Sequence, residues 1–229
     1  MMARPGYYDE KLSAERLRAC YDLAPPRIRK YLEAEIAFVL ERIRPAASVL
    51  ELGCGYGRVL HRLERPGRSV TGIDTSPASL RLARTLDGAG EGPSIRLFAM
   101  DATRMGFRSG TFDSTLCIQN GISAFGVDRS ELLREAARVT RSGGLVLFSS
   151  YAERFWEDRL NWFRLQAGHG LLGPIDEAAT GNGVIVCEDG FRASTVGAEE
   201  FERLASGLRL AARTIEVDGS SLFCEIVVP

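Results

Sequence analysis

The strongest constraint on this 229-residue chain is the passage Val49-Leu50-Glu51-Leu52-Gly53-Cys54-Gly55-Tyr56-Gly57-Arg58. It reads as a short apolar strand, a glycine-rich turn and the start of a helix. Glycines at alternate positions let the backbone bend sharply and let a ligand lie against bare main chain. Open α/β sheets place their ligands at the carboxyl ends of the strands, where this turn falls. A dinucleotide fingerprint starting at Gly53 needs glycine at position 58, and the chain has Arg58 there. Glu51, at the mouth of the turn, would repel a pyrophosphate. The turn therefore suits a ligand that carries positive rather than negative charge.

Around it the hydrophobic pattern alternates between strand and helix. Strands are expected at Ser48–Leu52, Ser69–Ile73, Ile95–Ala99, Phe112–Ile118 and Leu145–Ser149, with helices near Gly57–Leu63, Pro77–Leu86 and Arg129–Val139. This rhythm predicts βαβ crossovers and a mainly parallel sheet covered on both faces, an α/β three-layer sandwich. Two helices precede it, about Asp9–Leu23 and Pro26–Ile43. The second has a buried stripe at Ile36, Val39, Leu40 and Ile43 and a proline suited to its first turn.

After the fifth strand the rhythm changes. Ala152–Ala167 reads as an amphipathic helix carrying Phe155, Trp156, Trp162 and Phe163, followed by a hairpin of Ile175–Ala179 and Val184–Glu188 around Thr180-Gly181-Asn182-Gly183. A helix near Ala198–Ser206 and the strands Arg209–Val217 and Ser221–Val228 close the chain. The short Asp218-Gly219-Ser220 link makes those two strands antiparallel.

Three further strand ends carry polar groups. Asp74 can accept from both hydroxyls of a ribose, Asp101 with Ala102 can meet an adenine edge, and the fourth strand runs into Gln119 and Asn120. Either aspartate alone also suits a helix N-cap or a turn. In order, on successive strand ends, they form a ligand set. On these segments the chain resembles the class I S-adenosylmethionine-dependent methyltransferases. The segments are E-L-G-C-G-Y-G at 51–57, G-I-D-T-S at 72–76, M-D-A at 100–102, F-D-S-T-L-C-I-Q-N at 112–120 and R-S-G-G-L at 141–145.

The resemblance implies a seven-stranded sheet of order 3-2-1-4-5-7-6 with strand 7 antiparallel. N-terminal cap helices and a helix-plus-hairpin insert after strand 5 complete the expected fold. It implies S-adenosylmethionine as cofactor and S-adenosylhomocysteine as product. Gly53, Gly55 and Gly57 would approach the methionine part, Asp74 the ribose, Asp101 with Ala102 the adenine, and Gln119 the methionine end. Glu51, Cys54 and Thr75 complete the expected cofactor contacts. One methyltransferase domain is expected over 1–229: cap helices in 1–44, a cofactor core in 45–150, a substrate-covering insert in 151–197, and a closing helix and strand pair in 198–229.

Composition narrows the partner. A net charge of -1 argues against a broad nucleic-acid footprint, and the basic cluster Arg27, Arg29 and Lys30 reads as a solvated helix face. No apolar run approaches the ~20 residues that span a bilayer, and Met1–Lys11 lacks the h-region of a secretory signal. Five scattered cysteines read as buried free thiols in a reducing cytoplasm; with two histidines, His61 and His169, no metal-ligand cluster is expected. Small-molecule methylation at N, O or S by in-line displacement is the preferred reading, on a monomer or homodimer without nucleic acid or membrane. An NAD(P)-dependent oxidoreductase and a non-catalytic cofactor-binding regulatory module stand as alternatives. No catalytic base is evident; His169, Tyr8 and Asn120 are the candidates, with Tyr7 and Tyr8 able either to cover the cofactor or simply to pack the N-terminal arm.

Overall fold

A computed structural model describes residues 6–86 and 95–229. Nine strands are found among them: β1 Ser48–Leu52, β2 Ser69–Asp74, β3 Arg96–Ala99, β4 Phe112–Cys117, β5 Thr140–Tyr151, β6 Val184–Val186, β7 Arg192–Ser194, β8 Ala212–Val217 and β9 Ser221–Val227. The helices are α1 Tyr7–Glu10, α2 Ala14–Asp22, α3 Pro26–Arg42, α4 Arg58–Leu63, α5 Pro77–Leu86, α6 Gly121–Ala124, α7 Arg129–Val139, α8 Trp156–Gly168 and α9 Ala198–Gly207. The main sheet has the order β3-β2-β1-β4-β5-β9-β8, with β6 and β7 forming a separate pair. Strands β1 to β5 are parallel, and β9 runs antiparallel to both β5 and β8. The expected topology is therefore the observed one, the two closing strands being β8 and β9.

The central strands are apolar on both faces because both are covered. Side chains alternate across the sheet, so Leu50, Cys117 and Phe148 join the core under α7 and α9. Their neighbours Val49, Leu116 and Leu147 join the opposite core, with Ile36 and Val39 of α3 and Leu60 of α4. Gly72 of β2 is required by that second layer: a Cβ there would stand 2.4 Å from Leu60 Cδ1 and 2.7 Å from Cys54 Sγ. A third cluster, built from the N-terminal arm, Tyr151, α8 and the β6–β7 hairpin, lies over the carboxyl end of the sheet. None of the described helices is long and apolar enough to cross a membrane.

Four local expectations are corrected. The first expected helix is two, broken at residues 11–13, because Leu12 turns inward to 3 % exposure and the Ala14 amide donates to Ser79 Oγ at 2.9 Å. Strand β5 begins at Thr140, not Leu145. Its register to β4 jumps between Phe112 and Ser114, so residues 141–144 form a bulge, with Gly143 at φ +69. The regular hairpin in the insert pairs β6 with β7 around Asp189-Gly190; the expected turn at 180–183 is also present, Gly181 and Val184 exchanging N–H···O bonds at 2.9 Å, but its first flank forms no strand. Cys187 and Phe191 close the β6–β7 turn (Cys187 N–H to Phe191 O, 3.0 Å), and Ile175 contributes only an isolated bridge to Cys187. The basic cluster on α3 is not merely solvated. Arg27 and Lys30 bind the Asp218 carboxylate at 2.6 and 2.7 Å, and Arg29 donates to Ala24 O, which ties α3 to the β8–β9 turn.

Candidate active site

A cavity of about 430 Å³ opens at the carboxyl ends of the strands where the glycine turn lies. It is lined by Glu51, Gly53, Cys54, Gly55, Asp74, Thr75, Asp101, Ala102 and Gln119, nine of the ten positions expected to meet the cofactor. The tenth, Gly57, does not line it. That residue caps α4 at φ +85 and packs against Ala83 and His61, so it is needed for the turn into the helix and its contact with α5.

Backbone hydrogen bonds set the geometry. The Cys54 amide donates to Ile73 O at 2.9 Å, drawing the turn over the end of β2. The Gly55 amide donates to Asp74 Oδ2 and the Ser76 amide to Asp74 Oδ1, both at 2.8 Å. Gly55 takes φ +54, which glycine adopts without a Cβ penalty. Asp101 accepts at Oδ1 from the Thr103 amide and hydroxyl, both at 2.8 Å. Each acid is thus fixed by local donors at the rim.

Glu51 lies deeper, 5 % exposed, and its Oε2 has no hydrogen-bond partner. Burial pushes its carboxyl up to about 8; the nearby Arg58 opposes that rise and Asp74 adds to it. A buried carboxyl with an open oxygen beside a bare glycine turn suits a cationic ligand group, which would restore the charged form. Helix α4 has only six residues, and its first side chain, Arg58, is drawn away: it donates to Gln119 Oε1 and lies over the Tyr21 ring at 4.4 Å.

Past β4 the chain takes two consecutive left-handed residues, Gln119 (φ +56) and Asn120 (φ +62). The bend is held from beneath by Glu35 of α3, which is fully buried. Its Oε2 accepts from the Gln119 amide at 2.7 Å and from Ser149 Oγ at 2.9 Å. Burial raises this carboxyl to about 7 against those hydrogen bonds. Gln119 Nε2 is buried without a partner, at the side of the cavity that faces the insert. Glu35 was missed in the sequence because it sits inside an apolar helical stripe with no motif around it.

The roof comes from two places. Tyr8, Leu12, Leu17 and Tyr21 of the arm line the cavity, and Phe125 after α6 packs over the turn so closely that a Cβ on Gly53 would be 2.3 Å from its ring. The arm is fastened to the insert: Tyr7 Oη donates to Asp189 Oδ2 at 2.5 Å, Lys11 Nζ to Asp189 O at 2.7 Å, and Arg16 to Gly170 O and Leu171 O at 2.9 Å. Tyr7 is thus a fastener, while Tyr8 faces inward. A second chamber of about 50 Å³ adjoins the first and shares with it Tyr8, Leu12, Leu17, Tyr21, Gln119 and Ala124.

Asn120 reaches this chamber, but its amide is already engaged, donating to Ser194 O and accepting from Ser150 Oγ. His169 is not brought to the site. It is exposed, its amide closes the end of α8 on Leu165 O at 3.1 Å, and it lines neither chamber. His61 lies outside both as well, on α4 near Glu64.

Comparison with known proteins agrees with this geometry. Residues 49–144 match the family described as a methyltransferase domain. The chain is 28% identical over 152 residues to 2-methyl-6-phytyl-1,4-hydroquinone methyltransferase of Synechocystis, covering 58% of this chain and 46% of that protein. It is 30% identical over 103 residues to a ubiquinone biosynthesis O-methyltransferase of Bordetella avium, covering 44% of this chain and 42% of that one. The matched segment thus spans less than half of each relative. Among solved structures, magnesium protoporphyrin IX methyltransferase of Synechocystis with bound SAH superposes at a TM-score of 0.67 with 15% identity, covering 97% of this chain and 96% of that one. A Pyrococcus horikoshii protein superposes at 0.66 with 22% identity, covering 91% and 94%. These last two likenesses establish the fold.

Proposed function

We propose that this chain, whose residues 49–144 match a methyltransferase domain, is a class I methyltransferase that binds S-adenosylmethionine in the large cavity and methylates a small molecule. The observation that carries the reading is the trio at the strand ends. Asp74 is anchored by two amides, Asp101 is fixed at the next rim position, and Glu51 has a buried, unpartnered oxygen beside the glycine turn. A ligand with a ribose diol, an adenine and an ammonium group answers all three.

Bound S-adenosylmethionine supplies a methyl group activated on a sulfonium. The residues of the chain supply position and dryness. Asp74 takes the ribose, Asp101 and Ala102 the adenine, and Glu51 the ammonium, while Gly53 and Gly55 leave room along the main chain. Gln119 marks the methionine end, where the two chambers meet. Leu12, Leu17, Tyr21 and Phe125 exclude water, and in-line displacement needs mainly that the acceptor's lone pair be held against the methyl carbon.

The acceptor atom is N, O or S, and the reading divides the chain into cap 1–44 (of which 1–5 lie outside the described residues), core 45–150, substrate-covering insert 151–197 and closing pair 198–229. Five buried free cysteines support a reducing, cytoplasmic setting. Paired titrations test the reading: calorimetry is expected to show S-adenosylhomocysteine binding, and NADH fluorescence to show none. The reverse pattern would make the chain an oxidoreductase.

A further inference from the structure

Three carboxyl groups line the large cavity, Glu51, Asp74 and Asp101, and among the described residues Arg58 is the one cationic side chain in its wall. Arg58 follows the last glycine of the turn and joins two segments. Its guanidinium donates to Gln119 Oε1 in the bend after β4 and lies 4.4 Å over the Tyr21 ring of α2, in the N-terminal arm. Both partners are neutral, and no carboxylate among the described residues forms an ion pair with it. Two polar atoms beside it have no partner, Glu51 Oε2 and Gln119 Nε2. Arg58 is close enough to pull the Glu51 carboxyl down, yet burial still leaves that group at about 8, so near pH 7 it does not neutralise the arginine.

An open carboxyl, an open amide N–H and a guanidinium without a counter-ion together complement an α-amino acid. The ammonium goes to Glu51 and the carboxylate to Arg58, with Gln119 Nε2 as a further donor. The arm adds an energetic consequence. Tyr21 covers Arg58 and takes it partly out of water, which is costly for a cation that has no counter-ion. Seating the arm also holds Ala14, between α1 and α2, at φ +49, a backbone conformation unfavourable for alanine. A carboxylate against Arg58 removes much of the first cost and so helps offset the second. A ligand that carries one therefore favours the seated arm, and by linkage the seated arm favours that ligand.

We propose that Arg58 is the positioning residue through which the amino-acid end of the cofactor seats the N-terminal arm: the α-carboxylate pairs with the guanidinium, and the pair holds Tyr21, and α2 with it, over the cavity. The inference rests on the cofactor reading above and deepens it, because closure then depends on the end of the ligand farthest from the adenine. S-adenosylmethionine and S-adenosylhomocysteine both carry that carboxylate, so both seat the arm. A nucleoside that lacks it occupies the adenine and ribose positions and leaves the arm loose.

Trp162 reports on the arm: its indole N–H donates to Cys20 O at 3.1 Å and its ring lies 6.0 Å from that of Tyr21. In a Trp156→Phe background it is the sole tryptophan. Its emission is followed during titration with S-adenosylhomocysteine and with decarboxylated S-adenosylhomocysteine, which keeps the adenine, ribose, thioether and ammonium; calorimetry gives both affinities. S-adenosylhomocysteine is expected to bind at least tenfold more tightly and to shift the emission, and the decarboxylated compound to bind without that shift. Arg58→Met is expected to reduce the preference below threefold, to leave the affinity for the decarboxylated compound within threefold, and to abolish the shift at saturating S-adenosylhomocysteine. A tenfold preference that survives Arg58→Met overturns the proposal. So do equal emission shifts from the two ligands with Arg58 in place, a result that needs no Arg58 variant to fold. Failure of S-adenosylhomocysteine to bind at all defeats the cofactor reading, whereas binding of both compounds alike defeats this inference alone.

Discussion

The amide of Gly55 donates to Asp74 Oδ2 at 2.8 Å, so the turn after β1 and the acid that ends β2 are one structural unit. Asp74 therefore has two tasks, holding the turn and meeting the ribose. Asp74→Ala is expected to weaken S-adenosylhomocysteine binding more than tenfold, a loss above ~1.4 kcal/mol, while the protein stays folded. Calorimetry of the folded variant checks this; unchanged affinity removes Asp74 from the site.

Glu51 couples cofactor binding to protons. Burial holds its carboxyl up to about 8 without ligand, so at neutral pH it is largely protonated. An ammonium against it favours the ionised form, so binding near pH 7 should release a proton. Calorimetry in buffers of different ionisation enthalpy measures that release. Glu51→Gln should eliminate it and weaken binding; equal release from the variant would assign the proton elsewhere.

Glu35 should make stability fall as pH rises. Its folded carboxyl is raised to about 7, chiefly by burial, from an ordinary 4.5. The folded state thus holds the proton more tightly, and the favourable contribution is full below pH 4.5 and is lost as pH passes through about 7. Glu35→Gln can still accept from the Gln119 amide and has no such titration. Its Tm relative to wild type should climb between pH 5 and pH 8, and a flat difference would contradict the assignment.

Gly72 tests the packing of the layer behind the site. With a Cβ placed 2.4 Å from Leu60 Cδ1, Gly72→Ala should cost about 1–3 kcal/mol by overpacking. Gly168→Ala, at the end of α8 with nothing within 4 Å, is the control and should be neutral or slightly stabilising. Denaturant melts of the two variants decide the matter.

Much of this was legible along the chain because it depends on local spacing. The strand–glycine–helix passage and the acids at successive strand ends fall where the βαβ rhythm puts them, and the cavity gathers all but Gly57. The link at Asp218 and Gly219, both at positive φ, was readable as a tight antiparallel turn. In the insert the turn at Thr180-Gly181-Asn182-Gly183 was legible from its turn residues, whereas the β6–β7 turn at Asp189-Gly190 carries fewer of them. What could not be read are partnerships across long separations. Glu35 under Gln119 and Tyr7 on Asp189 join residues from separate segments, and no periodicity marks them. His169 illustrates the converse: a residue type suited to catalysis, placed by helix geometry at an exposed end.

The most direct measurement is a crystal structure with S-adenosylhomocysteine. The account predicts ribose hydroxyls within hydrogen-bond distance of Asp74, the ammonium within reach of Glu51, and sulfur directed toward Gln119. A ligand bound elsewhere, or one whose sulfur points away from Gln119, would contradict it.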